Sequence, residues 1–191
     1  MSKEINVLIL SAGRRVELVQ CFKNAAKKLK VSSKIVAADL SDTAPAIYFA
    51  DKYYLIPRIG SKDYVQKILD ICKKEKINLI VPTIDTELQI LSEKKKYIEE
   101  NTFAKVLISD KEVIKICRNK KNTQNFFEKN GFGVPKEYTE QEIKQGDICY
   151  PVFIKPLDGS SSINAFKVNN QKELEFFYEY IDNPIVQEYM E

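Results

Sequence analysis

A lysine at the end of a short apolar stretch, followed by a loop rich in glycine and serine, is the part of this chain best suited to chemistry. Residues 152–154 (VFI) are typical of a buried strand, which Lys155 closes. Its ammonium needs solvent, a carboxylate or an anionic ligand, because an unpaired buried charge is costly. Loop residues 158–162 (DGSSS) could surround phosphate oxygens with N–H and hydroxyl groups. A hairpin loop without a ligand is the alternative, since the sequence is not GxxxxGK[ST].

Composition limits the classes of partner and of metal site. Charged residues make up 30% of the chain and the net charge is only +3, so nucleic acid is not an expected partner. The 4 cysteines form no CxxC pair and histidine is absent, so any metal would be bound by oxygen, with Mg²⁺ as the expected ion. No apolar stretch reaches about 18 residues, so neither a signal peptide nor a membrane span is expected. Together these features predict a cytoplasmic protein.

The order of apolar runs predicts an α/β fold in two parts. In the first part, a strand at 6–10, a glycine turn and an amphipathic helix at 16–29 are followed by strands at 34–38, 53–56, 79–81 and 104–108. We expect these to form a Rossmann-like, mostly parallel sheet over residues 1–110. In the second part, residues 111–191, we expect strands around Tyr138 and at 152–155, 164–168 and 184–189, with a helix at 171–180, and these predict a small α+β lobe.

Polar residues follow several strands of the first sheet, at the edge where α/β folds bind ligands. The candidates for handling a substrate there are Gly13, Arg14, Arg15, Asp39, Asp85 and Glu87. Asp39 ends the second strand, where an acidic residue can bind ribose in a dinucleotide fold, but Gly13 stands alone where GxGxxG needs three glycines. Asp85 could equally cap the next helix.

Four stretches appear in an order that characterises a known family. They are VLILSAGRRVELV together with VAADLSDTAPA and VPTIDTEL, then NKKNTQNFFEKNGFGVP, then PVFIKPLDGSSS, and finally IVQEYME. The chain resembles the ATP-grasp superfamily, and most closely the branch that includes the large subunit of carbamoyl phosphate synthetase. The first stretch is similar to the pre-ATP-grasp domain of that branch, and the second resembles the pattern DKxxTxxFLxxxGxxxP.

The resemblance implies a set of nucleotide-binding residues. Its second stretch places a family lysine at Lys120 and puts Asn119 where the family has an aspartate. Lys155 matches the strand lysine that contacts the phosphates and the adenine edge, and the loop after it folds over the phosphates. The final stretch matches the hinge between lobes, where adenine is bound. The implied residues are Lys120, Lys155, Gly159, Ser160, Ser161, Ser162, Gln187, Glu188 and Tyr189.

The resemblance also implies an activity. With ATP and Mg²⁺, an enzyme of this kind activates a small carboxylate as an acyl phosphate, which an amine or a thiol then attacks. The family's metal ligands and an arginine near the γ-phosphate lie in a second lobe, and this chain ends at Glu191, so we assign no catalytic or metal-binding residue and expect an inactive fragment truncated at the hinge.

Two alternative functions remain open. One is a stand-alone nucleotide-binding or regulatory partner module, and another is a Rossmann-type protein that binds NAD(P) or a nucleotide sugar. A homodimer is also open, because an incomplete lobe exposes a strand edge and apolar surface.

Overall fold

The chain divides between Ile114 and Lys115 into two compact units. A computed structural model describes residues 4–159 and 161–190. None of the helices within these ranges has the length and apolar character needed to cross a membrane.

The first unit is built on a parallel sheet of five strands. In chain order these are β1 (Asn6–Ile9), β2 (Ile35–Asp39), β3 (Lys52–Leu55), β4 (Ile77–Val81) and β5 (Lys105–Val106). Their order across the sheet is β3-β2-β1-β4-β5, and each neighbouring pair is parallel. The predicted Rossmann-like sheet is therefore confirmed.

Both faces of this sheet are covered. Helices α2 (Tyr64–Glu75) and α3 (Leu88–Asn101) contribute to the core that contains Leu8, whereas α1 (Val16–Leu29) and a 3-10 turn at Pro45–Tyr48 contribute to the core that contains Val7 and Ile9. Successive residues of β1 therefore point into different cores, and such two-sided burial explains why its sequence reads as a continuous apolar run.

The last residue of α2, Glu75, has a buried carboxylate. The Glu75 side chain is only 2% exposed, and it accepts hydrogen bonds from Lys34 Nζ at 3.0 Å, Lys52 Nζ at 2.6 Å and the Tyr54 hydroxyl. Burial alone would raise the pKa of Glu75, but the bonds from Lys52, Tyr54 and Lys34 lower that pKa to about 2. This cluster joins α2 to the edge strand β3.

The second unit is a three-stranded antiparallel sheet with helices. After α4 (Lys111–Arg118), which crosses the boundary, it contains α5 (Lys120–Lys129), α6 (Glu140–Gln145), β6 (Val152–Pro156), β7 (Phe166–Val168), α7 (Gln171–Tyr180) and β8 (Pro184–Glu188). The strand order is β7-β6-β8. The predicted α+β lobe is confirmed.

The sheet of the second unit has one core face and one face that carries polar groups. Val152 and Ile154 of β6 are buried in a core with Leu174 of α7. Because side chains alternate along a strand, Phe153 and Lys155 point to the opposite face. Gln187 of β8 lies opposite Phe153 in the antiparallel register and shares that second face.

Two sequence predictions for this unit needed correction, and one helix was missed. The strand expected around Tyr138 is only an isolated bridge between Glu137 and Gln187. The strand expected from residue 164 begins at Phe166. Helix α6 was not predicted, although its capping box was visible in the sequence: the Thr139 hydroxyl accepts from the Glu142 N–H, and the Glu142 carboxylate accepts from the Thr139 N–H.

Candidate functional site

Two lysines lie close together in the second unit. Lys120 begins α5, and its Nζ donates to the backbone oxygens of Leu157 at 3.1 Å and Gly159 at 3.4 Å. Lys155 is partly buried; burial and the positive charge of Lys120 lower its pKa, against a smaller opposing effect of Glu137. No carboxylate in the described part of the chain forms an ion pair with Lys155. The lowered pKa indicates a place where an anionic ligand would be favourable.

A cavity of about 320 Å³ opens between these lysines and the glycine-serine loop. Lys120, Lys155, Gly159, Ser161 and Ser162 line it, and the lining contains no described carboxylate. Gly159 has φ +132°, and Ser161 and Ser162 have φ +59° and +54°, a conformation that non-glycine residues seldom adopt. The predicted loop residues and both lysines are thus brought together, except for Ser160, which lies outside the described residues.

A second cavity of about 400 Å³ is also lined by Lys120 and Lys155. Its other polar residues include Gln187 of β8 and Gln124 of α5, and no described carboxylate lines it. Because the two cavities share both lysines, one ligand with an anionic part and a neutral part could contact both.

The other two predicted hinge residues lie apart from the lysine cavities. Glu188 instead lines a larger groove of about 930 Å³, whose lining includes Glu137 and Glu128 but neither Lys120 nor Lys155. The ring of Tyr189 lies under Lys167, with 4.2 Å between Nζ and the ring centre. Four glutamates line this groove against two lysines, Lys121 and Lys136, so the groove is less suited to an anion than the cavities at Lys120 and Lys155.

Asn119 supports the position of Lys120. It is the N-cap of α5, and its Oδ1 accepts from the Asn122 N–H at 3.0 Å. We expect Asn119→Ala to lower the free energy of unfolding by about 1 kcal/mol and Asn119→Asp to preserve it, because a carboxylate accepts the same bond. Urea unfolding of the three proteins measures this, and an aspartate variant as unstable as the alanine variant would refute a capping role.

In the first unit, Asp39 holds the turn that follows β1. Its Oδ2 accepts from the Gly13 N–H at 2.7 Å and its Oδ1 accepts from the Ser41 N–H at 3.0 Å. Gly13 has φ +50°, and a Cβ there would lie 3.3 Å from the Arg15 guanidinium. Both carboxylate oxygens of Asp39 thus accept from the backbone, and these bonds fix the turn at Gly13.

Glu87 is fully buried, at 0% exposure, beside this turn. Its Oε1 accepts from the Ser11 hydroxyl at 2.7 Å and from the Tyr64 hydroxyl at 2.6 Å. Its Oε2 has no hydrogen-bond partner among the described residues. Burial raises the pKa of the Glu87 carboxyl, with hydrogen bonds from Tyr64 and Ser11 acting in the opposite direction.

The remaining candidates in this unit are more scattered. Arg14 and Arg15 are exposed. Asp85 is the first residue of the 3-10 turn Asp85–Glu87, and Glu87 is the N-cap residue of α3. A cavity of about 390 Å³ at this edge is lined instead by Ser11, Arg58, Tyr64 and Thr86 with apolar residues, a set that sequence patterns did not single out.

The chain matches two family models. Residues 7–107 match the PylC-like N-terminal domain, and residues 117–191 match the ATP-grasp domain. The chain belongs to the ATP-grasp superfamily. Its first unit is a pre-ATP-grasp domain, so the resemblance inferred from the sequence is confirmed at this level. Comparison with curated proteins gave no match.

Several solved structures share the fold of the ATP-grasp chain. The biotin carboxylase domain of Hydrogenobacter thermophilus 2-oxoglutarate carboxylase, in complex with MgADP, ADP and bicarbonate, is 20% identical with TM-score 0.73, over 97% of this chain and 44% of that one. N5-carboxyaminoimidazole synthetase from Staphylococcus aureus, complexed with ADP, is 15% identical with TM-score 0.70, and the match covers 100% of this chain and 48% of that one. L-amino acid ligase from Bacillus licheniformis is 14% identical with TM-score 0.70, and the match covers 100% of this chain and 45% of that one.

The ATP-grasp chain thus spans about half the length of these structures, and at such identities the likeness concerns the fold. The charge of the residues present suits a nucleoside triphosphate, which is an anion, because two lysines and no described carboxylate line both cavities. Within residues 4–159 and 161–190, no group of three or more His, Cys, Asp or Glu side chains is placed to hold a metal ion.

Proposed function

We propose that this chain is the amino-terminal portion of an ATP-dependent carboxylate–amine or carboxylate–thiol ligase, similar to carbamoyl phosphate synthetase, and that its second unit binds ATP with Mg²⁺. The observation that carries this proposal is the pair Lys120 and Lys155, which lines two adjoining cavities without a described carboxylate. The Lys155 ammonium lies 5.4 Å from the centre of the Phe153 ring and has no carboxylate partner among the described residues. A partly buried ammonium in such surroundings is stabilised when an anion binds beside it. Membership of the ATP-grasp superfamily supplies the class of that anion.

Each group of the second unit has a role in this proposal. Lys120 and Lys155 hold the phosphates, and each charge-assisted contact contributes about 1.5 to 3 kcal/mol. Gly159, Ser161 and Ser162 line the same cavity, and their backbone N–H groups and the two serine hydroxyls are the donors that would orient the phosphate oxygens. ATP supplies the phosphoryl group that activates the carboxylate as an acyl phosphate. The lysines contribute to this transfer by fixing the γ-phosphate and stabilising its charge.

We assign the acceptor substrate to the carboxyl edge of the first unit. Support comes from the cavity that is lined by Ser11, Arg58 and Tyr64. The hydroxyls of Ser11 and Tyr64 donate to Glu87, so a substrate there meets a polar network that is already oriented. Gly13, Asp39 and Glu87 shape this edge, while Arg14, Arg15 and Asp85 are our further candidates for contact with the substrate.

Cysteine accessibility provides the test. Cys117 is exposed and lines the 400 Å³ cavity with both lysines, whereas Cys21 is an exposed cysteine of the first unit. We expect MgATP to slow alkylation of Cys117 by a factor of about 1 + [ATP]/Kd and to leave the rate at Cys21 unchanged. The measurement is peptide mass spectrometry after timed alkylation.

In Lys155→Met, which removes the charge and leaves both cysteines in place, the same protection should require about tenfold to a hundredfold more ATP. Equal alkylation of Cys117 with and without saturating MgATP would overturn nucleotide binding at the lysine cavities. Protection without acyl phosphate formation by the longest natural form of the protein would instead favour a nucleotide-binding module over a ligase.

A further inference from the structure

Gln187 is a buried polar residue on the wall of a ligand-sized cavity. It is 5% exposed and lines the 400 Å³ cavity together with Lys155. Its Nε2 donates to Oε1 of Gln124, on α5. A buried amide that meets a cavity is a candidate for selecting the ligand, because each of its hydrogen-bonding atoms must find a partner.

The orientation of this amide is set by a second hydrogen bond. Nε2 of Gln124 donates to the backbone oxygen of Pro135 at 3.1 Å. A carbonyl oxygen only accepts, so Gln124 must turn its NH₂ group toward Pro135 and its oxygen toward Gln187. Gln187 must then turn its own NH₂ group toward Gln124. We name this one-way chain, formed by Pro135, Gln124 and Gln187, the amide relay.

The amide relay leaves Oε1 of Gln187 as the atom available to a ligand. No residue in the described ranges donates a hydrogen bond to this oxygen. The opposite orientation would place two acceptors against each other at Pro135, so the relay resists reversal. The cavity therefore offers an acceptor at Gln187 and positive charge at the two lysines.

We propose that Gln124 is a positioning residue for nucleobase selection: it holds Gln187 as a hydrogen-bond acceptor, so that the site takes a purine with a 6-amino group and rejects a purine with a 6-oxo group. This inference rests on the proposed function, since it needs a nucleotide whose phosphates contact Lys120 and Lys155. A 6-amino group donates to Oε1 of Gln187, whereas a 6-oxo group places a second acceptor against it. Sites that hydrogen-bond one such group reject the mismatched analogue because a buried polar atom remains unpaired.

The test compares ATP with inosine triphosphate, which carries a 6-oxo group in place of the 6-amino group. Isothermal titration of the 191-residue chain with each nucleotide gives the ratio of the two dissociation constants. We expect wild type to prefer ATP by about tenfold or more. In Gln124→Met, Gln187 is free to turn its NH₂ group to the cavity, and the ratio should fall toward one while binding through the phosphates persists.

Two further variants separate positioning from a structural effect. Gln124→Glu loses the bond to Pro135, but its carboxylate can only accept from Gln187, so the preference for ATP should be retained. Gln141→Met, on the exposed surface of α6, is the matched control and should leave the ratio unchanged. Gln124→Glu also provides the test if Gln124→Met fails to fold. Loss of the preference for ATP over inosine triphosphate in Gln124→Glu would contradict the amide relay.

The outcomes distinguish this inference from the proposed function. If wild type binds ATP and Gln124→Met keeps the same preference, the role of Gln124 is wrong and nucleotide binding stands. If wild type binds neither nucleotide, the proposed function itself fails. If wild type binds both equally, the acceptor assigned to Gln187 is refuted.

Discussion

Replacing Lys155 with methionine is expected to weaken ATP binding by about tenfold to a hundredfold while leaving the unliganded protein at least as stable. The loss corresponds to one charge-assisted contact with phosphate, about 1.5 to 3 kcal/mol. The retained stability follows from the environment of Lys155. Burial and the neighbouring charge of Lys120 lower its pKa, so the folded protein disfavours the ammonium form, and a neutral side chain of similar length relieves that cost.

Two measurements check this expectation together. Titration calorimetry with MgATP gives the affinity, and urea unfolding without nucleotide gives the stability. Lys172→Met, at an exposed position of α7, removes a lysine from the same unit and should change neither quantity. A Lys155→Met protein that unfolds more easily but binds ATP normally would show that the residue serves the fold rather than the ligand.

Replacing Glu75 with glutamine is expected to cost about 2 to 3 kcal/mol of stability at neutral pH, and this difference should vanish in acid. Hydrogen bonds from Lys52, Tyr54 and Lys34, acting against burial, hold the pKa of Glu75 at about 2, below its ordinary value of 4.5. A carboxyl whose pKa is lowered by folding stabilises the native state above the unfolded pKa. That contribution is lost as the pH falls from about 4.5 through about 2.

Urea unfolding of wild type and Glu75→Gln across this pH range measures the effect. The two stability curves should be separated at neutral pH and converge in acid. Glu100→Gln is a suitable control, because Glu100 is 61% exposed and its pairing with Lys96 at 3.8 Å lies on the surface of α3. A constant separation between wild type and Glu75→Gln at all pH values would show that charge at Glu75 is not the cause.

The fold could be predicted largely because its signals are local. Continuous apolar runs such as 6–10 indicated strands buried on both faces, and β1 is covered on both sides. The edges of the elements were less well determined. The expected strand around Tyr138 failed because a single bridge to Gln187 satisfies that segment, while α6 was overlooked despite a capping box at Thr139 and Glu142.

The residues of the site also differ in how well the sequence predicted them. Lys155 and its loop were visible because strand, lysine and glycine lie next to one another in the sequence. Gln124 gave no such signal, since its meaning depends on contact with Gln187, 63 residues away. The same holds for Ser11 and Tyr64, which gain significance only when folding brings them to Glu87. Patterns within a segment reveal charge and backbone freedom, whereas long-range pairing determines which buried polar groups meet.

The double contact of Lys120 has a consequence for the timing of ligand exchange. An ammonium group has three N–H donors, and Lys120 directs donors to the backbone oxygens of Leu157 and Gly159. Two of these donors are in use, so the third can meet a phosphate while the backbone of Leu157 and Gly159 stays held. We therefore expect a nucleotide to enter and leave the site without first detaching Lys120 from these two oxygens, so exchange needs no rearrangement of this lysine.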